Sequence, residues 1–204
     1  YELNRGVQIL WQTSMLRTSQ LRVIDEISNA LSYYNITFFE EIPNLTNKFQ
    51  KISEKLGEGK EFSENLLPLT MGMWIGGDRD GNPYVTVNTL ETSAQAQALR
   101  LFQHYLEKVE SVYRDLSMSI TMSAVTEELE ALASLSGEVS PHRINEPYRR
   151  ALTAVNDRLL ATAYHLCENK EVLPPKRKNV PDNPYRNSEE FTKDLETIAN
   201  SLIQ

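Results

Sequence analysis

Apolar residues that recur every three to four positions dominate this chain of 204 residues. That spacing places them on one face of an α-helix. Val23, Ile24, Ile27, Leu31 and Tyr34 form the first such stripe. A second helical stretch is predicted from Phe38 to Lys55, stopped by Gly57 and Gly59, which take a left-handed cap conformation without steric cost. The longest predicted helix runs from Thr89 to Ser117. Ala98, Phe102, Tyr105, Leu106, Val109, Val112, Tyr113 and Leu116 line one face, with Asn88 and Glu91 as a capping pair. A shorter helix from Glu127 to Ser136 starts at Thr126 and stops at Gly137, and Ser140-Pro141 opens a turn. The next long helix spans Glu146 to Asn169, with Leu152, Val155, Leu159, Ala163 and Leu166 as its stripe. Four of the nine prolines fall in 173–187, which reads as a connection. Ser188 is expected to cap a last helix carrying Phe191, Leu195, Ile198 and Leu202. The expected fold is mainly α, a single helical unit over 1–204.

One segment breaks the rule. Between Leu67 and Ile75, Leu69, Met71, Met73 and Ile75 alternate with Thr70, Gly72 and Trp74. Period two predicts a single strand over 67–75, continuing into a loop that ends at Pro83. A lone strand leaves its backbone N–H and C=O groups without partners. Either the strand reading is wrong, or its partner strands belong to sequence other than this.

The loop holds the densest punctuation in the chain. Four of the eight glycines (Gly72, Gly76, Gly77, Gly81) lie within ten residues. The run is Trp74-Ile75-Gly76-Gly77-Asp78-Arg79-Asp80-Gly81-Asn82-Pro83, between a predicted strand and a predicted helix. Glycines let backbone amides approach an anion, and Arg79 offers two parallel donors to a carboxylate, phosphate or bicarbonate. Trp74 offers a face that excludes water. A purely structural turn, with Asp78, Arg79 and Asp80 satisfying one another, explains the same residues. A Walker A loop is excluded, because no Gly-Lys-Ser/Thr follows. An EF-hand is excluded too: its sixth position is Pro83 and its twelfth is Thr89.

The remaining sequence narrows the function classes. A net charge of -7 speaks against nucleic-acid binding, which needs clustered Lys and Arg. The one basic cluster, Lys176-Arg177-Lys178, reads as a solvated loop. A single cysteine, Cys167, excludes an internal disulfide and reads as a packed thiol more readily than a reactive one. No apolar run approaches the ~20 residues of a membrane span, and no signal-peptide block is present. His104 and His165 lie within predicted helices and read as structural or surface residues.

WIGGDRDGNPYVT resembles the W-x-G-G-D-R-D-G-N-P-x-V-T signature of phosphoenolpyruvate carboxylase, through Trp74, Gly76, Gly77, Asp78, Arg79, Asp80, Gly81, Asn82, Pro83, Val85 and Thr86. Leu10-Trp11-Gln12-Thr13 with Leu16-Arg17 resembles the family's upstream L-W-Q-T-x-x-(I/L)-R segment. Glu146-Pro147-Tyr148-Arg149 resembles its downstream E-P-Y-R segment. The resemblance implies an enzyme that carboxylates phosphoenolpyruvate with bicarbonate, using Mg2+ or Mn2+, as a cytoplasmic homotetramer built on a (β/α)8 barrel. It makes 67–75 one barrel strand and Trp74, Arg79 and Asp78 the candidate catalytic residues. Gly76, Gly77, Asp80, Gly81 and Asn82 become a substrate-binding loop, and Arg17 and Arg149 structural or supporting groups. The family's T-A-H-P-T histidine segment, its G-R-G-G-S segment and its metal carboxylates are not in this sequence. The chain, which begins at Tyr1, is therefore expected to be an internal portion of the larger enzyme, inactive alone and binding no metal. The alternative is a helical binding or scaffolding module without catalysis.

Overall fold

The computed structural model describes residues 2–13, 21–56, 69, 71–72, 74–122, 124–178 and 180–203. Seven α-helices are formed by them: α1 (Glu2–Gln12), α2 (Val23–Tyr33), α3 (Phe39–Lys55), α4 (Val87–Asp115), α5 (Glu127–Ser134), α6 (Pro147–Leu166) and α7 (Ser188–Ile203). A π-helical turn, Tyr34–Phe38, joins α2 to α3 without a break. The two helical stretches expected there are thus one continuous run. Pro43, inside α3, lacks the N–H that would bond the carbonyl four residues back.

Among the described residues there is no strand. Leu69, Met71, Gly72 and Trp74 have no regular structure, and Ile75 already belongs to a turn. Leu67, Pro68, Thr70 and Met73 lie outside the described residues, as do Gly57, Gly59 and Arg17. The predicted strand over 67–75 is accordingly not formed by its described residues. Among the described residues no second extended segment pairs with it, and an unpaired strand cannot satisfy its backbone.

The core sits where α4 and α5 pack on α6. Tyr148, Leu152, Val155 and Leu159 of α6 meet Leu106 and Val109 of α4, Leu129 and Leu132 of α5, and Ile198 of α7, all buried. Pro147 occupies the first turn of α6, where its missing N–H costs nothing. Leu166, expected in this stripe, is exposed because the helix ends there. On α4 the packed positions are Leu99, Phe102, Tyr105, Tyr113 and Leu116, while Val112 is exposed. Leu195 and Leu202 of α7 are also exposed, along a groove walled by Val112 and Leu116.

Side-chain hydrogen bonds tie the helix ends. Thr126 accepts from Leu129 N, and Gly137 ends that unit at φ +59°, as their residue types predict. Asn187 Oδ1 accepts from Glu190 N at 3.0 Å, so Asn187 rather than Ser188 caps α7. Tyr148 Oη donates to the Ser201 carbonyl at 3.0 Å and shares a second bond with Ser201 Oγ, deep in the core.

The proline-rich connection is strapped to α6. Tyr185 N donates to Thr162 Oγ1 at 2.8 Å, and Tyr164 Oη donates to the Pro174 carbonyl at 3.2 Å. Arg158 pairs with Glu190 and Asp194 and stacks over the Tyr185 ring at 3.9 Å. Burial, first, and Asp194, second, push the Tyr185 phenol far up. The basic cluster departs from a merely solvated loop: Arg177 pairs with Asp157 at 2.8 Å and Lys176 with Asp182 at 2.7 Å. His165 shares Asp182, at 2.8 Å. Cys167 is a buried free thiol at the end of α6, and burial pushes its pKa up, which disfavours the reactive thiolate.

His104 of α4 stacks on Phe39 of α3, centroids 4.0 Å apart and planes 14° from parallel. Desolvation, and then nearby Lys108, hold its pKa below the ordinary 6.5. The unfolded chain therefore protonates first. Stability from this contact is fully present above about pH 6.5 and is lost as pH falls through the folded value. We expect His104→Leu to flatten that part of the pH–stability curve, measured by urea denaturation. Leu152→Ala should cost about 2–5 kcal/mol and Tyr148→Phe about 1–2 kcal/mol in the same measurement.

Candidate functional site

The glycine-rich segment folds as three successive turns leading into α4. Trp74 O accepts from Gly77 N at 3.2 Å and from Asp78 N at 3.1 Å. Gly76 makes this possible with φ +80° and is buried. Arg79 O accepts from Asn82 N, with Gly81 at φ +77°. Asn82 O then accepts from Val85 N at 3.2 Å, while Asn82 Oδ1 accepts from Tyr84 N at 3.0 Å.

Thr86, not Asn88, caps α4. Its Oγ1 accepts from Thr89 N, and Thr89 Oγ1 accepts from Thr86 N at 3.2 Å and lies 3.0 Å from the Tyr84 carbonyl. The expected pairing of Asn88 with Glu91 fails because the helix starts at Val87, one turn before Glu91.

Arg79 lies on the exposed side of the loop, and its Nε donates to the Val85 carbonyl at 2.9 Å. That bond ties the middle of the loop to the residue that enters the helix, and Val85 itself is buried. Among the described residues Arg79 forms no ion pair with Asp78 or Asp80. Mutual satisfaction of these three charges, the structural reading of the loop, is not how it is held. Backbone turns and the Arg79–Val85 bond hold it instead.

Trp74 is 75% exposed and stands at the rim of an apolar groove of about 410 Å³. Met71, Tyr33, Tyr34, Phe38 and Leu21 line the rest. Gly77, Asp80, Gly81 and Asn82 are exposed and Asp78 is half-buried. Trp74, Asp78, Arg79 and the loop glycines are thus gathered at the N-terminal end of α4. Among the described residues no three His, Cys, Asp or Glu side chains converge to hold a metal ion.

Arg149 lies elsewhere. Its Nε donates to the Tyr113 carbonyl at 2.9 Å and its Nη2 to the Arg114 carbonyl at 3.2 Å. These are last-turn carbonyls of α4, where a cation is favoured. Glu146 stands between Arg149 and Arg143 and pairs with both; these contacts draw its carboxyl below the usual range although burial opposes them. At 1.5 Å rise per residue, Arg149 sits about 40 Å along α4 from the loop.

Two residues that the sequence did not single out for the site support the loop from beneath, Ile27 of α2 and Ser93 of α4. Ile27 was visible only as part of a stripe. Ser93 carried no signal, since a serine in an amphipathic helix reads as solvent-facing. A Cβ added at Gly76 would lie 2.7 Å from Ile27 Cδ1, whereas one at Gly81 would meet nothing within 4 Å. Gly81→Ala should therefore cost only the left-handed backbone penalty of about 1–2 kcal/mol. Gly76→Ala should cost clearly more, and urea denaturation of the two variants side by side checks the order.

The comparisons with known proteins agree with one another. The family model described as phosphoenolpyruvate carboxylase matches residues 1–204. A phosphoenolpyruvate carboxylase of Paraburkholderia xenovorans (strain LB400) is 45% identical over 99% of this chain and 20% of its own length. One from Burkholderia mallei (strain SAVP1) is 43% identical over 98% of the chain and 20% of its length. One from Rhodopseudomonas palustris (strain BisA53) is 39% identical over 98% of the chain and 21% of its length. The chain thus spans about a fifth of the relatives it matches. By family model and by relatives alike, this chain belongs to the phosphoenolpyruvate carboxylase family.

Proposed function

We propose that this chain is the Trp74-loop portion of an enzyme that carboxylates phosphoenolpyruvate with bicarbonate, yielding oxaloacetate and phosphate. The observation that carries the reading is the complete signature from Trp74 to Thr86, folded as one tied loop with Trp74 turned outward. In the proposed reaction a bicarbonate oxygen attacks the phosphorus of phosphoenolpyruvate. The C–O–P bridge breaks on the phosphorus side, leaving carboxyphosphate and the enolate of pyruvate. Carboxyphosphate then releases CO2 and phosphate, and C3 of the enolate attacks CO2 to give oxaloacetate.

Water must stay away from the enolate until it is trapped. An exposed indole beside an apolar groove is suited to that: it closes one side of the pocket over CO2 and bicarbonate. Arg79, with Nη1 and Nη2 free of protein partners among the described residues, faces solvent at the same loop and is suited to an anionic oxygen. Asp78 lies next to it in the turn. Mg2+ or Mn2+, when bound in the full-length enzyme, would supply Lewis-acid stabilisation of anionic oxygens; its carboxylate ligands are proposed to lie outside this sequence. The segment 67–75 is proposed to become a strand of a (β/α)8 barrel in the complete enzyme, which places the loop at the C-terminal face where barrel chemistry occurs. The enzyme is proposed to be a cytoplasmic homotetramer, and among the described residues no helix is long and apolar enough to cross a membrane.

A second reading has one observation in its favour. The Arg79–Val85 bond shows that the arginine has a structural task, which a non-catalytic helical module would also need. One variant separates the two. In the full-length enzyme Trp74→Ala should lower oxaloacetate formation by about a hundredfold, with little change in melting temperature, because a largely exposed side chain contributes little to folding. A melting-temperature drop that accounts for the whole loss supports the module instead. The isolated chain should show no turnover in a coupled oxaloacetate assay.

A further inference from the structure

We infer that Ile27 and Ser93 are positioning residues for Trp74: together they set the height and tilt of the Trp74–Gly77 turn. This rests on the reading of the loop given under Proposed function. Trp74 is 75% exposed, so its own side chain has little packing to hold it. Its position is inherited from the backbone that follows it. That backbone is seated at Ile75 and Gly76, between α2 and α4. Ile27 is 3% exposed and Ser93 is 0% exposed. A Cβ at Gly76 would lie 2.7 Å from Ile27 Cδ1, 3.0 Å from Ile27 Cγ1 and 3.1 Å from Ser93 Cβ. Ile27 and Ser93 therefore crowd the place a Gly76 methyl group would take, and one of them must shift to admit it.

Ser93 adds a weak directional contact, its Oγ lying 3.5 Å from the Ile75 carbonyl. Gln97 Nε2 donates at 3.3 Å to both Ser93 Oγ and Ser93 O, which satisfies the buried hydroxyl from the helix side. Size matters more here than the hydrogen bond. Serine is small enough to let the turn sit low on α4. A larger side chain must lift it, because close-packed interiors transmit such displacements. The indole of Trp74, the residue before Ile75, moves with the turn. Sub-ångström placement of a pocket wall is enough to change partition at a reactive intermediate.

The intermediate supplies a readout that loss of folded protein cannot imitate. An enolate that meets CO2 becomes oxaloacetate. An enolate that takes a proton from water at C3 becomes pyruvate, with CO2 lost and phosphate released in either case. The ratio of pyruvate to oxaloacetate per phosphate is independent of how much enzyme is folded. It should rise when Trp74 no longer closes the pocket.

In the full-length enzyme, Ser93→Leu should raise that ratio about tenfold. Ser93→Ala, which keeps the seat low, should move it less. Ser111→Leu, on the exposed side of α4, is the control and should leave it unchanged. Ile27→Val removes one methyl group, a change mild enough to leave the protein folded, and should raise the ratio about twofold. It decides the matter if Ser93→Leu fails to fold. A parent-like ratio in Ile27→Val and in any folded Ser93→Leu overturns the inference. Trp74→Ala in the same assay keeps two failures apart. If Trp74→Ala changes neither turnover nor ratio, the reading of the loop itself is wrong. If it abolishes turnover while the seat variants behave like the parent, only the positioning role falls.

Discussion

The apolar interface between α4 and α6 is the contact on which the other elements depend. Leu106 and Val109 meet Tyr148, Leu152 and Val155 there, and α5 and α7 add Leu129, Leu132 and Ile198 to the same core. At about 25 cal/mol per Å² of buried apolar surface, a few such side chains outweigh any single hydrogen bond in the molecule. Holding α4 in place fixes both of its ends. Arg149 and Glu146 anchor the C-terminal end through the Tyr113 and Arg114 carbonyls. The N-terminal end carries Thr86, Val85 and the loop.

The loop is stiff near its base and open at its tip. Its base is tied by paired bonds to Trp74 O, by the Arg79–Val85 bond and by the clasp on Gly76. At its tip Gly77, Asp80, Gly81 and Asn82 face outward beside Trp74. The proposed role of the loop calls for this division: a fixed backbone to place its side chains and an accessible face to meet a ligand. Arg79 spans both halves, since one nitrogen is spent on the loop and the others face solvent.

Much apolar surface remains uncovered. Trp11 is 89% exposed, α1 buries none of its residues, and Met71 and Tyr33 line an open groove beside Trp74. An exposed apolar patch of this kind marks a surface that meets something else. The chain spans about a fifth of its relatives' length, so ample protein exists in those relatives to lie against such a face.

Legibility in the sequence followed the range of the forces involved. Thr126 and Gly137 announced their helix ends because a cap is a contact between residues three or four apart. The stripe Leu152, Val155, Leu159 and Ala163 was readable for the same reason, since periodicity alone sets which face is buried. The α4 start was misplaced by two residues because Thr86 and Asn88 are both good caps, and only Thr89's bond to the Tyr84 carbonyl decides between them. The predicted strand over 67–75 is not formed by its described residues, since a strand needs a partner that a helix does not. Family membership was carried by the run from Trp74 to Thr86, which by itself determines the shape of the turns and the chemistry gathered on them. What only the tertiary structure decided is where that loop stands: Ile27 comes from 49 residues earlier than Gly76 and Ser93 from 17 later. No local rule brings them under one glycine, because it is the packing of α2 on α4 that does so.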